Sequence, residues 1–150
     1  MANFIHLIAA IDTHAAGEPT RIVLSGLPPI LGATMAAKKQ FMRDHLDHFH
    51  TLLMHEPRGH RDMFGAVLTP PTTPRGQYGL LFMDNAGYLD MCGHGTMSVT
   101  TVLIETGMIP PLGDRIRRPC LPAVHHDAWC SAPLVACRPP GGRNDLCQHA

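Results

Sequence analysis

The stretch Met91-Cys92-Gly93-His94-Gly95-Thr96 decides how this chain is read. Before it lies Tyr78-Gly79-Leu80-Leu81-Phe82-Met83, apolar at nearly every position, which predicts a strand buried on both faces. Asp84-Asn85-Ala86-Gly87 reads as a turn, and Tyr88–Met91 leads to the cysteine. Beyond it, residues 94–106 predict a helix. Val99, Val102 and Leu103 are apolar and no charge interrupts before Glu105, so this helix should be buried nearly all round. Gly107 falls where a helix-ending residue belongs, and Pro110 bars continuation.

Cys92 then stands at a helix N-terminus. A thiol has an ordinary pKa of about 8.5, and a helix N-terminus is expected to lower it. The backbone N–H groups of Gly93 and His94 point along the helix axis, where they can bind a carboxylate. A thiolate beside a bound carboxylate suits removal of the proton alpha to that carboxylate. A lone cysteine is more commonly a buried structural residue, and the residues alone leave both readings open. No Cys or His stands at zinc-ligand spacing from Cys92, so no metal is expected there. His94 is expected to act through its backbone. His60 and Asp62 belong to the polar loop Glu56-Pro57-Arg58-Gly59-His60-Arg61-Asp62. They could line the same pocket, or the loop could be ordered by its own hydrogen bonds.

Toward the N-terminus, Phe4–Ile11 predicts a short strand ended by Asp12, and Thr20–Ser25 a second with Arg21 at its start. Asp12–Pro19 between them reads as a loop, as does Gly26–Gly32. Thr34 can cap a helix over residues 34–53. Met35, Met42, Leu46, Phe49 and Leu53 share one face of it, and Lys38, Lys39, Arg43, Asp44, Asp47 and His50 the other. His45, His48, His50 and His55 are read as a solvated helix face rather than a metal site. Gly65–Thr69 predicts a strand, which Pro70-Pro71-Thr72-Thr73-Pro74 interrupts.

Lys plus Arg and Asp plus Glu number 12 each, so charge suggests no nucleic-acid or membrane-surface partner. The first residues lack the pattern of a secretory signal or a membrane span, and a cytoplasmic protein is expected. Five cysteines, an odd number, argue against a disulfide framework.

Three separated motifs carry a family resemblance: Ile11-Asp12-Thr13-His14-Ala15-Ala16-Gly17-Glu18-Pro19-Thr20-Arg21-Ile22-Val23, Glu56–Gly65, and Phe82–Thr96. Over roughly residues 5–110 the chain resembles the N-terminal half of the proline racemase family, which includes proline racemases, hydroxyproline epimerases and trans-3-hydroxyproline dehydratases. The resemblance implies an α+β fold of the diaminopimelate-epimerase kind. Each half of that fold is a mostly antiparallel sheet wrapped around a central buried helix, here residues 94–106. It implies a small-molecule substrate, proline or hydroxyproline, held between two halves without metal or other cofactor. One cysteine from each half exchanges a proton at the alpha carbon, and dehydratases usually lack the second. Carried onto this sequence, Cys92 is the first catalytic acid/base, and Gly93 and His94 bind substrate through their backbone. Family members are often homodimeric. The motif before the cysteine looks most like the racemase branch.

The expected organisation is therefore an incomplete proline-racemase-like domain over residues 1–110 and an irregular tail over 111–150. The tail holds six Pro, four Cys and five Arg, and no Lys, Glu, Phe, Tyr, Met or Thr. Asp114-Arg115-Ile116-Arg117-Arg118-Pro119-Cys120 resembles the family's second cysteine motif. Leu121-Pro122 follow it where glycine is needed, so no open helix start forms there. The tail is read as out-of-frame or disordered sequence, with a Cys/His metal module (Cys120, His125, His126, Cys130, Cys137) as the alternative. On this reading the chain is a truncated, inactive fragment holding one of two acid/base groups, or a non-catalytic remnant.

Overall fold

The central strand is apolar on both faces because helices cover both sides of the sheet. The computed structural model describes residues 6–74 and 76–109, with the backbone of residues 119–120. In chain order the elements are β1 (Ala9–Ala15), β2 (Glu18–Ser25), α1 (Met35–His45), α2 (Asp47–Met54), β3 (Phe64–Thr69), β4 (Tyr78–Asp84), β5 (Gly87–Leu89), α3 (Gly93–Glu105) and β6 (Pro119–Cys120). The strands lie in the order β1-β2-β3-β4-β5, and β6 also pairs with β4. Pairing is antiparallel for β1–β2, β3–β4 and β4–β5, and parallel for β2–β3 and β4–β6. The parallel step from β2 to β3 needs a crossover, which α1 and α2 supply. The class is mixed α+β, as expected.

Side chains alternate along each strand, so one strand feeds two cores. Val23, Val67, Leu81 and Met83 face α1 and α2 and pack with Met42, Phe49 and Met54. Ile22, Ala66, Leu80 and Phe82 face α3 and pack with Val99, Val102 and Leu103. Burying Thr96 and Thr100 in α3 carries little penalty, because threonine hydroxyls here bond within the helix. Thr96, Thr100, Thr101 and Thr106 each donate to the carbonyl four residues back, at 2.7–3.0 Å. Gly107 follows the helix with φ of 71°, the left-handed conformation expected of it.

Several sequence expectations are corrected. The first strand is Ala9–Ala15 rather than Phe4–Ile11, and residues 1–5 lie outside the described residues. The stretch Asp12–Pro19 is a β-hairpin, not a loop: only Ala16 and Gly17 turn, both with positive φ (51° and 94°). Pro19 is tolerated in β2 because β3 joins only from Thr20 onward. The helix over 34–53 is two helices, broken at Leu46, whose φ of −126° and ψ of 14° leave the helical region. Thr34 caps α1 as expected, accepting from Ala37 N at 3.1 Å. The break keeps Leu46, Phe49 and Leu53 in the core and turns His50 inward as well. His50 is buried and Lys38 is buried with Nζ donating to Pro70 O at 2.7 Å, so neither belongs to a solvated face. At Pro119–Cys120 the chain pairs with Tyr78 and Gly79 of the sheet, where no joining to the core was expected. The rest of the tail, with the readings of it as out-of-frame sequence or metal module, lies outside the described residues. Among the described residues no helix is long and apolar enough to cross a membrane.

Candidate active site

Cys92 is the N-cap of α3. Its backbone is extended (φ −144°, ψ 110°) and its Sγ accepts from Gly95 N at 3.4 Å. The carbonyl of Cys92 takes two further bonds, from Thr96 N at 3.0 Å and Thr96 Oγ1 at 2.8 Å. The N–H groups of Gly93 and His94 find no partner among the described residues and remain free for an anion. At Gly95 the approach is close: a Cβ there would stand 3.0 Å from Cys92 Sγ and 3.1 Å from the Phe82 ring, so one of them would have to give way. The glycine thus lets the thiol settle between the helix start and β4.

The thiol is 7 % exposed, and burial pushes its pKa up from the ordinary value. The bond from Gly95 N opposes this, while the charges of Glu18 and Asp84 add to it. The expected lowering by the helix N-terminus is therefore outweighed: a single long N–H contact does not offset desolvation beside two carboxylates. His94 contributes more than its backbone. Its Nδ1 lies 3.3 Å from Cys92 Sγ, and its ring meets the Phe64 ring edge-on at 4.7 Å between centroids.

Phe64 lines a cleft of about 840 Å³ together with Gly17 of the β1–β2 turn, Glu18 and Pro19 at the start of β2, the segment 60–63, and Asp84, Asn85 and Ala86. His60 and Asp62 do line a common cleft, and Asp62 N donates to His60 Nδ1 at 3.3 Å. Neither Cys92 nor His94 lines that cleft; Phe64, which does, packs on the His94 ring. Glu18 and Asp84 were not singled out in the sequence, although both lie in the quoted motifs. Among the described residues no group of three or more His, Cys, Asp or Glu side chains is placed to hold a metal ion.

Two polar braces set the cleft's walls. Arg21 holds both carboxylate oxygens of Asp12 at 2.8 Å, and its Nη1 donates to Leu53 O at 2.9 Å and Arg58 O at 2.6 Å. It thereby ties the first hairpin to the end of α2 and to the 56–62 loop. Asn85 Nδ2 donates to Met54 O at 2.8 Å and His60 O at 2.6 Å, tying the β4–β5 turn to the same places. Arg21→Leu should lower the unfolding free energy at pH 7 by about 2–3 kcal/mol in a urea titration, chiefly through the two carbonyl bonds. The Arg21 guanidinium holds the Asp12 carboxyl below its ordinary range. A depressed carboxyl pKa stabilises above the unfolded value and loses that effect as pH falls through the folded one. The Arg21→Leu deficit should therefore shrink below about pH 4.

A mixed sheet between helices, with a capped thiol and two open N–H groups at one helix start, is the class of protein that fold and site define. The profile of the family described as proline racemase matches residues 10–120. The chain belongs to the proline racemase family. The match runs past Pro110, where the motif resemblance was placed as ending. A proline racemase of Acetoanaerobium sticklandii is 55 % identical over 102 residues, covering 68 % of this chain and 30 % of the relative. A trans-L-3-hydroxyproline dehydratase of Bos taurus is 48 % identical over 103 residues, covering 69 % and 29 %. A hydroxyproline epimerase structure from Agrobacterium vitis, with bound trans-4-hydroxy-L-proline, superposes with a TM-score of 0.70 at 24 % identity, covering 76 % of this chain and 34 % of that one. The chain spans about 30 % of the length of the curated relatives it matches.

Proposed function

We propose that this chain carries one acid/base half of a cofactor-independent enzyme that racemises or epimerises proline or hydroxyproline. Cys92 is its proton-transferring group, and the N–H groups of Gly93 and His94 seat the substrate carboxylate. The observation that carries this reading is the pairing at one helix start of a capped thiol with two backbone N–H groups that have no partner. The raised pKa of Cys92 suits the thiol state, so that it delivers a proton to the alpha carbon while a thiolate on the opposite face removes one. No electrons are transferred: one C–H bond breaks, another forms, and each sulfur exchanges a proton. The sheet with α3 against it serves as one half of a two-half fold, and the partner thiol lies outside the matched residues. A dehydratase is the second reading, favoured by the 48 % identity to the Bos taurus enzyme.

The test is the 150-residue chain incubated with L-proline in deuterated buffer, followed by chiral chromatography and mass spectrometry. No D-proline should form, because the reaction needs groups on both faces. Measurable racemisation by this chain alone would overturn the two-group reading.

A further inference from the structure

We propose that His50 of α2 and His55 at its C-cap are positioning residues: they hold the Asp84–Gly87 turn, and with it the Asp84 carboxylate, near the helix start that carries Cys92. His50 Nε2 lies 2.7 Å from Asp84 O, and His55 Nε2 lies 3.1 Å from Asn85 O. A carbonyl only accepts, so each ring donates through Nε2. The two rings meet edge-on at 5.6 Å, and His50 also packs at 5.2 Å on Tyr88 of β5. One helix thus grips both arms of the β4–β5 turn. A buried imidazole costs desolvation that an apolar side chain of similar volume would avoid. What histidine adds here is a donor aimed at turn carbonyls.

The turn transmits its position to the carboxylate. Asp84 Oδ1 accepts from Ala86 N at 2.8 Å and Gly87 N at 3.0 Å, so the carboxylate moves with the turn. Asp84 stands opposite Phe64 in the β3–β4 pairing, the Phe64 ring meets that of His94, and His94 Nδ1 lies 3.3 Å from Cys92 Sγ, which brings the carboxylate near the thiol. Around His50 stand Asp47 at 3.5 Å, His55 and Tyr88. α2 packs on the sheet face opposite α3, so the charge beside the thiol is set from across the sheet.

This inference rests on Cys92 as the reactive thiol of the proposed site, but its test needs no substrate, so it fails or succeeds separately from the racemisation result. Alkylation of Cys92 by iodoacetamide is followed against pH on the full 150-residue chain, by mass spectrometry of the peptide that contains it. His50→Leu and His55→Leu should each move the midpoint to lower pH and raise the rate at pH 7.5 about threefold, as Asp84 drifts from the sulfur. His50→Gln, which keeps a donor, should match the unaltered chain. Asp84→Asn should give the same rise, and His55→Leu added to it should give no more. His55 is only half-buried, so His55→Leu carries the test where His50→Leu fails to fold. An unchanged midpoint in folded His55→Leu, or effects of His55→Leu and Asp84→Asn that simply add, would overturn the proposal.

Discussion

Phe82→Ala is expected to lower the unfolding free energy by about 3–5 kcal/mol, the range for truncating a buried phenylalanine. Phe82 is fully buried in β4, on the face that meets α3. Its ring stands where a Cβ on Gly95 would touch it, at 3.1 Å, so it fills the space directly beneath the helix start. Truncation leaves a cavity that the flanking Ile22, Leu80 and Val99 cannot close without shifting strand or helix. Domains of this size hold only about 5–15 kcal/mol in total, so the variant should sit at the edge of unfolding. The measurement is the urea midpoint by circular dichroism. A loss below about 1 kcal/mol would contradict the placement of Phe82 between β4 and α3.

Cys92→Ser is expected to leave the fold intact and to remove proton transfer. Serine is a preferred N-cap, and its hydroxyl can accept from Gly95 N as the sulfur does. A hydroxyl does not ionise in the range where a thiol serves as acid or base. The context in which this can be read is a hybrid: residues 10–110 of this chain replacing the matched segment of the Acetoanaerobium sticklandii proline racemase. Loss of a positioned acid/base group costs about 10²- to 10⁴-fold in rate, so racemisation by the Cys92→Ser hybrid should fall by that factor. Its urea midpoint should stay at that of the unaltered hybrid. A matching fall in both would assign Cys92 to packing rather than chemistry.

Much of the fold was legible because its strongest signals are local. The unbroken apolar run Tyr78–Met83 required two covered faces, and α1/α2 and α3 supply them. Thr34, Gly107 and the apolar face of residues 35–53 followed from capping chemistry and period. The break at Leu46 was not legible, since neither Gly nor Pro marks it, and tertiary packing alone turns the chain there. The first hairpin was hidden by Pro19 and by polar residues on an exposed edge strand, where β1 buries little. At the site, the cysteine, its helix and its free N–H groups could be read from Cys92-Gly93-His94-Gly95. The acidity of the thiol could not be. It depends on burial and on Glu18 and Asp84, brought near from positions 74 residues before and 8 residues before in the chain (92 − 18 and 92 − 84). The inward histidines were missed for the same reason: their partners are carbonyls of a distant turn, which no spacing within α2 reveals.

The most direct test of Cys92 as one of two acid/base groups is the hybrid's reaction with L-proline in deuterated water, with the deuterium content of the D-proline formed read by mass spectrometry. The unaltered hybrid should yield D-proline carrying one deuterium at the alpha carbon, and the Cys92→Ser hybrid, equally folded, should yield almost none. Undiminished racemisation by the folded Cys92→Ser hybrid would contradict the account.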